Sequence, residues 1–286
     1  MLKGYLKPKT LNEARQELAR YAGEALVVAG ATDVYLDLKY GRKTVAYLVD
    51  IRNIAELNGI HKEGDKLFIG SATTHAELAK HPLIQTHFSA LAAGAAVVGG
   101  PQMRHTGTIG GNVVNAKPAA DTAIPLFSFN AEAIYFDEHG NELAKPIGEL
   151  YSGTGTSNLD SRKCILKGFH LPCDYFTASV FTRFAKRNAM ALPILNLALA
   201  LRMKNGIIED ACMTAGPVAR IPLRMSVVED MLKQRAPDEA LFKSVSEVAV
   251  NVAEPRDSSL RGSKAFRKDL LQTLVVRTLR DCCAKI

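Results

Sequence analysis

Two short glycine turns constrain this chain more than any other feature. The first lies in "VVAGATDV", residues 27–34, and the second in "GTIGGN", residues 107–112. In the first, an apolar run enters Gly-x-Thr-Asp, a turn that exposes successive backbone N–H groups, and such donors suit a phosphate. Thr32 adds a hydroxyl, and Asp33 can hydrogen-bond a ligand hydroxyl or cap local N–H groups. In the second, Gly110 and Gly111 lack Cβ atoms, so their amides can approach a ligand closely or take a positive φ. Thr108 offers a hydroxyl, Asn112 and Asn115 offer amides, and Asp121 follows downstream as an acceptor for ligand hydroxyls. Two phosphate-cradling turns about 75 residues apart predict one extended ligand clamped between two subdomains. A pyrophosphate with nucleotide arms has that shape.

The turns also exclude chemistries. No Lys stands directly after the second glycine of "GTIGGN", where a P-loop needs one, so triphosphate hydrolysis is disfavoured. A Rossmann-type NAD-binding dehydrogenase module built on "VVAGATD" is the alternative reading. Against it, the third glycine of G-x-G-x-x-G is absent, a helix precedes the strand, and Asp50 is the nearest candidate for the ribose-binding acid. The five cysteines, Cys164, Cys173, Cys212, Cys282 and Cys283, form no C-x-x-C pair, which speaks against zinc, an iron–sulfur cluster or a disulfide framework. A reducing, cytoplasmic setting is the expectation. The formal net charge of +7 is scattered, with eight Lys/Arg against four acids in residues 254–286. It fits a solvated face, because nucleic-acid motifs and dense basic runs are missing. The most apolar run, residues 189–201, is broken by Pro193 and Asn196 and is too short to span a bilayer.

At 286 residues the chain has room for two or three domains. Thr10 to Glu13 has the spacing of a capping box and predicts a helix with Leu11, Ala14, Leu18 and Tyr21 on one face, ending near Gly23. Residues 25–29 and 45–49 are predicted strands, with 30–33 as a tight turn between them. Thr74 to Glu77 is a second capping box; residues 83–98 are predicted helical and then Ala/Gly-rich. Strands are expected near Ile60 and over 67–69, 134–136 and 165–171, and further strand or mixed apolar elements over 179–187 and 193–203. Asn205-Gly206 is the strongest two-residue hairpin signal. Helices are predicted over 225–234, 238–252 and 263–283.

"VVAGATDV", "GPQMRHTGTIGGNVVNAKPAADT" and "LPCDYFTASVFTRFAKR…ALPILNLALAL" together resemble the FAD-binding subunits of the molybdenum hydroxylases. That family includes the flavin subunits or domains of xanthine dehydrogenase, aldehyde oxidase, nicotinate dehydrogenase and aerobic carbon monoxide dehydrogenase. The resemblance runs from about residue 3 to the C-terminus. It implies an α+β chain: a two-subdomain FAD-binding fold of the PCMH/vanillyl-alcohol-oxidase type (1–57 and 58–172) plus a C-terminal α+β flavoprotein domain (173–286). Val27, Val28, Ala29, Gly30, Ala31, Thr32, Asp33 and Val34 would be the first pyrophosphate loop, and Thr108, Ile109, Gly110, Gly111 and Asn112 the second. Asp121 matches an acid near the ribityl or pyrophosphate region. Ile165 and Leu166 fall where apolar residues pack on the isoalloxazine. Arg183 falls near a basic residue, usually Lys, close to the flavin. Val98 occupies a position that can be aromatic in relatives.

The chain departs from the family pattern at Ala31, where many members have a second Gly; an L-residue there demands φ < 0 or some strain. Arg104 is expected to fix the glycine loop through an ion pair. FAD is expected to be non-covalent, which leaves His61, His75, His81, His87, His105, His139 and His170 without a linking role. No side chain is expected to be catalytic. The molybdopterin and the [2Fe–2S] clusters would sit in a large and a small partner subunit. Electrons would reach the FAD from those clusters and pass to an acceptor such as NAD, oxygen, a quinone or a ferredoxin-like carrier.

Overall fold

A computed structural model of the chain describes residues 2–286. A short strand, β1 (Gly4–Leu6), precedes the first capping site. There the Thr10 hydroxyl accepts the Glu13 N–H at 3.1 Å, which satisfies one of the orphan donors of α1 (Leu11–Arg20) and fixes its start. The helix buries Ala14 and Leu18 against β2 (Ala25–Val28) and β3 (Tyr47–Asp50). Between these strands lies α2 (Thr32–Lys39). The three strands are parallel in the order β1-β3-β2. Two features depart from the sequence expectation. β1 is only three residues long, too short for a periodicity signal. The segment after Asp33 is a two-turn helix, so the first glycine turn is a strand-to-helix junction.

The second unit is a five-stranded antiparallel sheet. β4 (Ile60–Glu63) and β5 (Lys66–Gly70) start it. Six short helices follow: α3 (His75–Lys80), α4 (Pro82–His87), α5 (Ser89–Ala96), α6 (Pro101–Thr106), α7 (Ile109–Val114) and α8 (Ala123–Ser128). Then come β6 (Glu132–Phe136), β7 (Glu142–Pro146), a small ribbon of β8 (Tyr151–Gly153) and β9 (Thr156–Ser157), and β10 (Ile165–Pro172). The sheet order is β4-β5-β10-β6-β7. The Thr74–Glu77 capping box forms completely: the Glu77 N–H donates to the Thr74 hydroxyl at 3.2 Å and the Thr74 N–H to the Glu77 carboxylate at 2.8 Å. The helix expected over 83–98 is two helices. Phe88 breaks it by leaving helical backbone angles, and its ring is buried edge-on against Phe129.

The third unit pairs β11 (Ala178–Ala185), β12 (Pro193–Lys204), β13 (Ile207–Gly216) and β14 (Leu223–Arg224) antiparallel, in that order. Asn205 and Gly206 both have positive φ, 51° and 75°, as a type I′ hairpin turn requires. α9 (Ser226–Leu232), α10 (Glu239–Val252) and α11 (Lys264–Cys283) cover one face of the sheet. The first nine residues of β12 are all buried, because both faces are covered. Leu195, Leu197, Leu199 and Leu201 pack with Phe242, Val245 and Leu274 of the helices, and each such leucine contributes about 2 kcal/mol. On the other face Ala198 and Ala200 are small and let α8 approach closely: the Ser128 hydroxyl donates to the Ala198 carbonyl at 3.0 Å. From Pro193 on, the most apolar run of the sequence is therefore a strand buried on both faces, while Met190 and Leu192 before it are exposed. Among the described residues no helix is long and apolar enough to cross a membrane.

Candidate functional site

A cleft opens between the first and second units, and all eight residues of "VVAGATDV" line it. β2 is an edge strand, and the Val27 N–H on its open side donates to the Ser161 carbonyl at 2.9 Å, which ties the two units together beside the cleft. The chain leaves β2 at Gly30. A Cβ there would stand 2.0 Å from the Thr106 carbonyl oxygen and 2.9 Å from Gly107 Cα, so the residue must be glycine for the two turns to touch. Ala31 then takes the left-handed conformation, φ 51° and ψ 13°, as the N-cap of α2. An L-residue pays about 1 kcal/mol for this conformation. The strain expected from alanine at this position is present in the backbone. No side chain caps the first turn of α2. Its leading N–H groups point their partial positive charge out of the helix end, the arrangement that favours an anion.

The second turn is built differently. "GTIGGN" is the start of α7, with Thr108 as N-cap, rather than a loop. The Thr108 hydroxyl accepts the Gly111 N–H at 3.1 Å. The Ile109 N–H donates to the Thr73 carbonyl at 3.0 Å and the Gly110 N–H to the Ser71 carbonyl at 2.9 Å. A Cβ on Gly110 would come within 2.6 Å of the Ser71 backbone, so this glycine serves packing. At Gly111 a Cβ would meet only the Thr108 hydroxyl, at 3.2 Å, and this glycine keeps the cleft wall low. Thr108, Gly110, Gly111 and Asn112 line the cleft, whereas the Ile109 side chain is in the core of the second unit. The Thr122 hydroxyl donates to Asn112 Oδ1 at 2.7 Å and fixes that side chain.

A sequence family described as the FAD binding domain in molybdopterin dehydrogenase matches residues 1–174. A second, the CO dehydrogenase flavoprotein C-terminal domain, matches residues 181–282. This chain belongs to the FAD-binding subunits of the molybdenum hydroxylases. It is an oxidoreductase component whose cofactor is FAD. It is 32% identical to the xanthine dehydrogenase FAD-binding subunit of Escherichia coli O157:H7, over 98% of this chain and 96% of that protein. It is 28% identical to the nicotinate dehydrogenase FAD-subunit of Eubacterium barkeri, over 80% and 78%. The fold is shared with a solved carbon monoxide dehydrogenase from Hydrogenophaga pseudoflava, with TM-score 0.93 and 23% identity over 100% of this chain and 98% of that one.

The residues carried over from the family resemblance divide within the structure. Val98 and Leu166 line the cleft with the two turns. Ile165, the neighbour of Leu166 on β10, points to the opposite face and packs with Ala14, Leu18 and Val49. Asp121 and Arg183 do not line this cleft. They meet each other, with Arg183 Nε 3.3 Å from an Asp121 oxygen that also accepts from Asn196 Nδ2 at 2.7 Å. Asn196 Nδ2 also donates to the Ala119 carbonyl, so "KPAAD" is bolted to β12 of the third unit. Burial pushes the Asp121 carboxyl up to about 6, against the pull of Arg183 and Asn196. Among the described residues Arg104 makes no ion pair. Its guanidinium donates to the carbonyls of Val98 at 3.1 Å and Gly99 at 3.4 Å, which holds the turn before α6.

Asp50, the acid that a nicotinamide-binding reading needs, is engaged elsewhere. The Tyr5 hydroxyl donates to it at 2.6 Å, and the Arg52 guanidinium at 2.9 Å. Burial raises its carboxyl, and the hydrogen bonds from Arg52 and Tyr5 more than reverse this, leaving it below the usual range. Sequence reasoning missed several wall residues: Lys43, Ser71, His75, Gly99, Met103 and Ser161 among them. Of the seven histidines, His75 alone lines the cleft. Its signal was in view, since it opens the helix that the Thr74–Glu77 box announces.

Proposed function

We propose that the cleft holds FAD non-covalently by its pyrophosphate and that the chain is the electron-transfer subunit of a molybdopterin-dependent hydroxylase or dehydrogenase. The observation that carries this reading is the uncapped N-terminus of α2 at left-handed Ala31, set against the glycine turn of α7. The residues fit the cofactor. The wall contains one Lys and one Asp, Lys43 and Asp33, so there is little fixed charge to neutralise a pyrophosphate. Helix-end N–H groups do that without a buried ion. Val98, Met103 and Leu166 supply apolar surface suited to flat rings. Asp33 and the Asn112 amide are placed to hydrogen-bond hydroxyl and phosphate groups.

FAD, when bound, would supply the redox chemistry between [2Fe–2S] clusters in a small partner subunit and an external acceptor such as NAD or a quinone. This chain binds and orients the cofactor, and none of its side chains needs to act as an acid or base. A molybdopterin-binding large subunit would hold the substrate. Residues 1–57, 58–172 and 173–286 act as two cofactor-binding subdomains and a third domain joined to them through Asp121 and Asn196. The nicotinamide-module reading has no support from Asp50.

Substitution Gly111→Leu tests the proposal. The side chain would enter the cleft beside Thr108, so the purified variant should be colourless while its apo melting temperature stays near that of the wild type. A yellow Gly111→Leu protein with wild-type FAD content would sink the reading.

A further inference from the structure

His75 is the first residue of α3, 2% exposed, and it lines the cleft. Its backbone N–H donates to the Gly107 carbonyl at 3.1 Å, which sets the ring against the second glycine turn. A Cβ on Gly107 would stand 3.3 Å from His75 Cδ2 and 3.6 Å from Nε2. Among the described residues His75 Nδ1 has no hydrogen-bond partner. Burial, helped by the charge of Arg104, brings the ring's pKa down to about 4, so it is neutral at physiological pH. A neutral imidazole carries one N–H donor and one acceptor, and buried polar groups are ordinarily paired. Ser71, four residues earlier on the same wall, also has a buried hydroxyl without a partner.

The two orphans stand where the backbone has little to offer. The Ile109, Gly110 and Gly111 amides of the second turn are engaged by Thr73, Ser71 and Thr108. On this wall a donor for the ligand must come from a side chain. The His75 ring lies against the turn at Gly107, whose missing Cβ leaves it room, and it lines the cleft.

We propose that His75 is a dinucleotide-contacting residue, whose imidazole N–H donates a hydrogen bond to a phosphate oxygen of the pyrophosphate held between the two turns. The inference rests on the cleft being the FAD site. It assigns the two walls different donors: helix-end amides on the side of α2, and an uncharged ring on the side of α7. It also assigns His75 a hydrogen bond rather than a covalent link.

The test uses the full chain, freed of flavin and titrated with FAD and with ADP. His75→Ala should weaken both ligands by about tenfold, the size of one lost hydrogen bond. His75→Gln, which restores an N–H donor, should recover most of that loss. The melting temperature of both apo variants should stay near that of the wild type. In the wild-type protein the His75 imidazole ¹⁵N resonances should move when ADP is added, a readout that does not depend on any variant folding. Unchanged affinities in His75→Ala, a loss that Gln does not restore, unmoved imidazole resonances, or FAD that stays attached after denaturation would each overturn the proposal. Failure of the FAD-site reading is separate, because it shows in Gly111→Leu retaining FAD.

Discussion

The two glycine turns carry similar residues, Gly-x-Thr-Asp and Thr-x-Gly-Gly-Asn, and each opens a helix, yet they solve the helix-start problem in opposite ways. α7 caps itself: Thr108 takes the Gly111 N–H, and the strand-end carbonyls of Ser71 and Thr73 take two more. α2 has no side-chain cap and starts from a strained Ala31. The difference lies in what stands behind each turn. α7 has the segment just after β5 packed against it, and Gly110 lets that backbone approach. α2 lies on an outer edge with none of its residues buried. Its helix end is left to the cleft. A glycine-rich turn thus announces close approach, and tertiary packing decides whether a ligand or the protein's own backbone does the approaching.

Three substitutions break or sharpen this contrast. The largest effect is expected at Gly30. In Gly30→Val the side chain would collide with the Thr106 carbonyl, and neither turn can give way without moving the other. The variant should lose about 3 kcal/mol of stability in denaturant unfolding, as over-packed sites do. If it unfolds like the wild type, the turns are not in the contact described. Next is Thr108→Ala, which removes the cap of α7 and should cost about 1 kcal/mol in the same measurement. Affinity for FAD should fall far less than in Gly111→Leu, because the hydroxyl serves the helix. The smallest effect is expected at Ala31→Gly. Relief of the positive φ is partly offset by the added freedom of the unfolded chain, so stability should rise by about 0.5 kcal/mol. A destabilised Ala31→Gly protein would remove strain from the account of the first turn.

Much of the fold was legible in the sequence. The capping residues Thr10 and Thr74 both stand at observed helix starts, and each accepts the N–H three residues on. Caps are local chemistry, readable within four residues. Asn205-Gly206 forms the expected hairpin for the same reason. β1 and β7 gave no warning: the first is three residues long, and the second is exposed along its whole length, so neither has an apolar pattern. The site was legible in outline. Both turns, Val98 and Leu166 share one cleft. Ile165 shows the limit, since a strand sends neighbours to opposite faces and the sequence did not say which face meets the cleft. Asp121 shows another. Its engagement with Arg183 and Asn196 joins residues more than sixty positions apart and has no local signature.

The sequence by itself determined where helices and most core strands begin, that two glycine turns must be approached closely, and which family the chain resembles. These follow from caps, periodicity and residues without Cβ atoms, all fixed within a few positions. Only the tertiary structure decided what approaches each turn. It set Gly30 against Thr106, engaged the amides of α7 with strand-end carbonyls, left α2 open, and turned His75 rather than Asp121 toward the cleft. Those outcomes depend on which distant backbone fills the space behind a residue, and no local pattern encodes that.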